Sequence, residues 1–135
     1  HGMKAKHVVQ ACREEIEALV GETRGVESAA VITGDGFEVA SVLRTGIAGE
    51  KLAAMASSLL ALSEAVVQEL RMNACRNVII ESENGSVVTL RIPVSGRELL
   101  MSVLCSDAAS LGAVLFAARA AAQSIGRRLP TPVPA

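Results

Sequence analysis

Between Val31 and Val42 the chain reads VITGDGFEVASV, two apolar runs parted by a single acidic residue between glycines. A Gly-Asp-Gly can cradle a phosphate, hand a carboxylate to a metal, or reverse the chain. The flanking residues choose between these. With Asp35-Gly36 as a two-residue turn, Ile32 faces Val39, Val31 faces Ala40 and Thr33 faces Glu38. Apolar side chains then meet apolar ones, and the one polar pair lies beside the turn. Matched cross-strand pairs contribute ~0.2–1 kcal/mol each and fix register, and Asp-Gly between alternating runs is a strong hairpin signal. A calcium loop needs several alternating acidic residues, whereas Asp35 has none within two positions on either side. The stretch is a β-hairpin and Asp35 a turn residue.

Working outward, Val8, Val9, Cys12, Ile16, Leu19 and Val20 recur at steps of three and four, with Arg13, Glu14 and Glu17 on the other face. That pattern predicts an amphipathic helix from Lys4 to about Glu22, stopping near Gly21. Residues 27–33 and 37–43 form the hairpin. After it, GIAGEK opens a long helix from about Gly49 to Met72. Leu52, Met55, Leu59, Leu62, Val66 and Leu70 make one stripe along it, widened by Ala53, Ala56, Leu60 and Val67. Beyond Arg76, the turn signals Asn84-Gly85 and Ser95-Gly96 divide the chain into three strands of an antiparallel meander, with Pro93 at a strand end. Asp107 is the expected N-cap of a last helix from Ala108 to about Arg127, which Leu129-Pro130 ends. Its apolar stretch LGAVLFAA is too short for a membrane span, which needs roughly 20 residues.

The order is thus α-β-β-α-β-β-β-α, an α/β sandwich of the α+β type in one domain covering residues 4–128. His1-Gly2 ahead of Met3 is expected to be an expression scar, and the proline-rich residues 129–135 a flexible tail. The length of the second helix bears on function. About 24 residues at ~1.5 Å each give about 36 Å, against ~20 Å for a six-residue strand. Part of its apolar stripe should therefore lie beyond its own sheet, and a surface of that kind marks a partner. Ala54, Ser57, Ser58 and Ala61 are small enough to let another helix come close.

Composition removes several function classes. Net charge is −1 with scattered basic residues, and Phe37 and Phe116 are the only aromatics. Neither the basic footprint nor the stacking platforms of a nucleic-acid binder are present. Cys12, Cys75 and Cys105 are odd in number and far apart, which suits buried reduced thiols of a cytoplasmic protein. TGIAGEKL lacks the Gly-Lys-Ser/Thr of a P-loop: Glu50 stands between Gly49 and Lys51, suiting a helix N-terminus and repelling phosphate. His7 has no second histidine outside the first two residues to share a metal or complete a triad, and reads as an exposed surface residue. Cys75 beside Arg76 is at most a weak reactive thiol. Glu14-Glu15, Glu81 and Glu83 read as solvated carboxylates. No catalytic, cofactor or metal residue is expected, nor direct membrane insertion.

Three stretches together resemble the roadblock/dynein light chain family: GVESAAVITGDGFEVASVL its first hairpin, AAMASSLLALSEAVVQEL its long central helix, and LLMSVLCSDAASLGAVLFAARAAAQSI its last strand and helix, with the pair Leu111-Gly112. The resemblance covers about residues 4–128 and lies in the succession of elements; no single motif carries it. It implies a profilin-like, five-stranded antiparallel sheet in the order 2-1-5-4-3, the central helix on one face and the terminal helices on the other. It further implies a homodimer that joins the third strands into one sheet and sets the central helices side by side. Transferred here, that assigns Leu59, Leu62, Val66, Asn77, Val78, Ile79 and Ile80 to the dimer interface. Members of the family, including its bacterial MglB-like branch, regulate small Ras-like GTPases; others are scaffolds of motor or membrane-associated complexes. The resemblance therefore implies a cytoplasmic adaptor with a GTPase as partner, with a scaffold without effect on hydrolysis and a small-ligand sensor as the alternatives. Arg44 and Arg71 are the candidates for an arginine finger should the role extend to GTPase activation, and Ala54, Ser57, Ser58, Ala61 and Arg71 are the candidates for docking the partner.

Overall fold

The computed structural model describes residues 2–44 and 46–130 of the chain. The elements are α1 (Gly2–Glu22), β1 (Val26–Thr33), β2 (Glu38–Val42), α2 (Gly49–Glu69), β3 (Asn77–Ser82), β4 (Gly85–Ile92), β5 (Leu99–Ser106) and α3 (Leu111–Arg128). The strands form one antiparallel sheet in the order β2-β1-β5-β4-β3, as the resemblance implied. Alternation along each strand sends side chains to two separate cores. On one face Ala29, Val31, Val88, Leu90, Met101 and Val103 pack against α1 and α3. On the other, Ala30, Ile32 and Leu100 meet Leu52, Ala53, Ala56 and Leu60 of α2. With both faces covered, β1 and β5 are buried along most of their length.

The opening hairpin turns differently from the two-residue reading. The Gly36 N–H donates to the Thr33 carbonyl at 3.0 Å, and the Thr33 N–H to the Phe37 carbonyl at 2.8 Å. Gly36 has φ +95°. This is a three-residue loop whose last position requires a left-handed backbone, the task glycine performs. The Phe37 N–H is taken by the Thr33 hydroxyl at 2.9 Å. Val31 does pair with Ala40, but Ile32 pairs with Glu38, and Val39 is the extra residue of a bulge. The consequence is functional packing: Glu38 moves from Thr33's face of the sheet to the α2 face. There its carboxylate accepts from the Ser41 hydroxyl at 2.5 Å and lies against Gly49, where a side chain would collide with it. A carboxylate at the start of α2 complements the helix dipole, and the Ala48 N-cap offers no side-chain bond of its own.

Three further boundaries shift for local reasons. Ser110, not Asp107, caps α3, its hydroxyl accepting from the Ala113 N–H; residues 107–109 stay in the turn. The β3–β4 loop is Glu83-Asn84, with Gly85 already paired to Ser82 and to Ser106. Gly85 lies so close to the Cys105 carbonyl that a Cβ there would strike it. Helix α2 stops at Glu69 in a Schellman turn, the Met72 N–H donating to the Val67 carbonyl at 2.8 Å and the Arg71 N–H to the Gln68 carbonyl at 3.0 Å. Leu129, at the start of the expected tail, is buried in the α1/α3 core. His1 of the expected scar and residues 131–135 of the tail lie outside the described residues.

Candidate interaction surface

Helix α2 is apolar over more of its circumference than one sheet face can cover. The sheet takes Leu52, Ala53, Ala56 and Leu60, small enough at two positions for close approach. The neighbouring stripe is left outside: Met55 is 49% exposed, Leu62 65%, Val66 50% and Leu70 62%. Helix length predicts an uncovered stripe, but its cause is rotational: α2 touches β1, β2, β3 and β4 and lies flat on the sheet, with its second apolar stripe facing away. By length and composition α2 could cross a membrane. Two polar ties bind it to the sheet instead. The Ser57 hydroxyl donates to the Gly34 carbonyl at 2.6 Å, and the Glu64 carboxylate accepts from Arg91 of β4 at 2.8 Å.

That ion pair is part of a small network. Arg91 also meets Glu98, and Glu64 accepts from the Cys75 N–H at 3.3 Å. Burial pushes the Arg91 pKa down, but the bonds from Glu64 and Glu98 outweigh it and leave it raised. The network ties the C-terminal half of α2 to the sheet and to Cys75 in the segment before β3, so the outer stripe is displayed on a fixed support.

Beside α2 lies the free edge of the sheet. Among the described residues β3 pairs only with β4. Val78 packs into the α2-side core, and Ile80 shares its face two residues on, 45% exposed. Asn77, Ile79 and Glu81 point to the other face. There the Arg119 guanidinium of α3 donates to Asn77 Oδ1 at 3.0 Å, and Ile79 is 36% exposed. Among the expected interface residues, Leu62, Val66, Ile79 and Ile80 are thus exposed, while Leu59, Asn77 and Val78 are half-buried.

The small residues of α2 divide. Ala54, Ser58 and Ala61 are exposed, but Ser57 is occupied by its own hairpin loop through Gly34. Arg71 is exposed and held at φ 56°, and Asn73 at φ 67°. Arg44 is exposed too, its backbone N–H fixed by the buried Ser28 hydroxyl at 2.9 Å.

Other readings are corrected by contacts distant in sequence. Glu14 and Glu15 are bound rather than merely solvated: Arg128 reaches Glu14 at 2.5 Å and Glu15 at 2.9 Å, clasping α1 to α3. The hydrogen bond from Arg128 holds the Glu14 carboxyl below its ordinary value. Cys12 is fully buried and its thiol is pushed up to about 11 by desolvation, an inert packing residue; Cys75 and Cys105 are free and buried as well. His7 is exposed, against the Arg128 carbonyl at 3.3 Å. Both aromatics are surface residues, Phe37 at 67% and Phe116 at 78%. Arg119 at the β3 edge had no signal in the sequence, since its partner lies 42 positions away.

A groove of about 570 Å³ follows the outer face of α1 past Lys6, Val9, Gln10 and Arg13. A 320 Å³ cleft under α2 is lined by the Glu64, Arg91 and Glu98 side chains already paired with one another. Neither offers a convergent set of unpaired polar groups for a small ligand.

The Roadblock/LC7 domain model matches residues 13–104. An uncharacterised protein of Methanocaldococcus jannaschii, MJ1340, is 27% identical over 106 residues, covering 78% of this chain and 90% of its own. Among solved structures, MglB of Myxococcus xanthus superposes with a TM-score of 0.78 at 16% identity, covering 88% of this chain and 87% of that one. The gliding protein MglB of Thermus thermophilus superposes with a TM-score of 0.76 at 18% identity, with 90% of each chain covered.

Proposed function

Because the chain belongs to the Roadblock/LC7 domain family, we propose that it is a homodimeric cytoplasmic adaptor that binds a small Ras-like GTPase and modulates its cycle. The observation that carries this reading is the uncovered apolar stripe of α2, displayed on a pinned helix next to the open edge of β3. In the dimer the two β3 edges join and the two α2 helices lie side by side, so that Leu59, Leu62, Val66, Val78 and Ile80 become buried. An adaptor of this kind works by holding the switch loops of the GTPase, which order and disorder with nucleotide state. The docking residues proposed for it are Ala54, Ser58, Ala61 and Arg71, which stay exposed around the stripe; Ser57 is given up to the hairpin loop. No residue of this chain is assigned a catalytic role.

The test is GTP hydrolysis by a small Ras-like GTPase of the same organism, measured with and without the protein. Acceleration supports a regulator of hydrolysis. Nucleotide-dependent binding without acceleration supports a scaffold, and absence of both in a dimeric preparation overturns the GTPase reading.

A further inference from the structure

Two copies of β3 can join antiparallel in few registers. A sheet continued in this way has its two-fold axis perpendicular to it, so residues directly opposite one another point to the same face. Side chains alternate along a strand, and the axis must therefore pass through a residue of β3; Val78, Ile79 and Ile80 are the positions that keep most of Asn77–Ser82 paired. With Val78 on the axis, Ile80 meets the partner's Arg76 and Ile79 meets the partner's Asn77. With Ile80 on the axis, Ile79 meets the partner's Glu81 and Val78 meets the partner's Ser82. Both set apolar side chains against polar ones. With Ile79 on the axis, Ile79 meets its own copy, Val78 meets the partner's Ile80 twice over on the α2 face, and Asn77 meets the partner's Glu81 on the opposite face.

The Ile79 register also answers a charge. Arg119 stands over Asn77, bonded to its side-chain oxygen at 3.0 Å, at the position the partner's Glu81 enters. Glu81 is exposed and, among the described residues, has no cation within ion-pair distance. We propose that the second copy docks with Ile79 on the two-fold axis and that Arg119 of each copy pairs with Glu81 of the other. This rests on the dimer proposed above. The apolar pairs supply the attraction, while the two ion pairs fix register and choose the partner, since a chain with a like charge at either position is repelled.

Single cysteines and charge swaps test it. Opposed residues of an antiparallel pair have Cα atoms about 4.5 or 5.5 Å apart, within disulfide range, so Ile79→Cys gives a covalent dimer on mild oxidation. Val78→Cys and Ile80→Cys do not, because each is offset from its own copy. Arg119→Glu and Glu81→Arg each raise the dimer Kd about tenfold, and an equimolar mixture of the two returns to wild-type affinity, because both contacts then join opposite charges. Cross-linking through residue 78 or 80, or single charge variants that dimerise like wild type, overturns this register while leaving the dimer standing. A monomeric mass for the unmodified protein overturns the dimer itself.

Discussion

Arginine at position 62 separates folding from assembly. Leu62 lies on the outer stripe of α2 and is 65% exposed, so the protomer has used about a third of its burial. Full burial of a leucine contributes roughly 1.5–3 kcal/mol. Covering the remainder in a dimer thus contributes about 1–2 kcal/mol per copy, and twice that for the pair. Leu62→Arg forfeits this and places an unpaired charge in a dry helix contact, at a cost of several kcal/mol per ion. The sum is at least about 4 kcal/mol, or roughly a thousandfold in Kd. The protomer itself should be unaffected, because an exposed substitution away from caps and ion pairs shifts stability by less than about 0.5 kcal/mol. Light scattering across a micromolar concentration series reads the mass, and circular dichroism reads the fold. A well-folded monomer is expected. A variant that keeps the dimer mass refutes the assignment of this stripe to the interface.

Arg71→Gly should stabilise the protomer. A left-handed backbone costs a side-chain-bearing residue about 1–2 kcal/mol, and glycine returns roughly 0.4–1 kcal/mol of that through the freer unfolded chain. A net gain of about 0.5 kcal/mol raises Tm by roughly 1–4 °C, while Arg71→Ala keeps the strain; a glycine variant melting below the alanine one contradicts this account. For Glu14, the folded pKa is depressed. Its bond to Arg128 therefore stabilises fully above the ordinary value of 4.5 and is lost as pH falls through the lowered one. Urea unfolding of wild type and Glu14→Gln should show a gap at pH 7 that closes at strongly acid pH, and a pH-independent gap would reject the clasp as its source.

Much of the fold was legible because it is written in local periodicity. The steps of three and four in α1 and α2, the alternation around VITGDGFEVASV and the succession of turns each describe one element's own burial. Boundaries held to within a few residues, and failed where a backbone partner sits elsewhere. Ser110 displaced Asp107 as the cap of α3 because its hydroxyl reaches Ala113. The hairpin took the three-residue loop that sends Glu38 to the start of α2, a helix eleven positions away, and no pairing rule within the hairpin contains that helix. Nor could pattern alone tell which stripe of α2 the sheet would take, since both stripes are apolar; close packing chose the one with Ala53 and Ala56.

The sequence by itself determined the order of elements and the polarity of each face. These depend on neighbours within one helix turn or one strand pair, where spacing and side-chain type act directly. Only the tertiary structure decided what the molecule displays. Contacts across long separations, Arg91 with Glu64, Arg119 with Asn77 and Arg128 with Glu14 and Glu15, arise when the sheet brings distant residues within reach of a charge. They hold α2 flat and set a cation over the open edge of β3, so the exposed surface is what close packing and charge pairing leave uncovered.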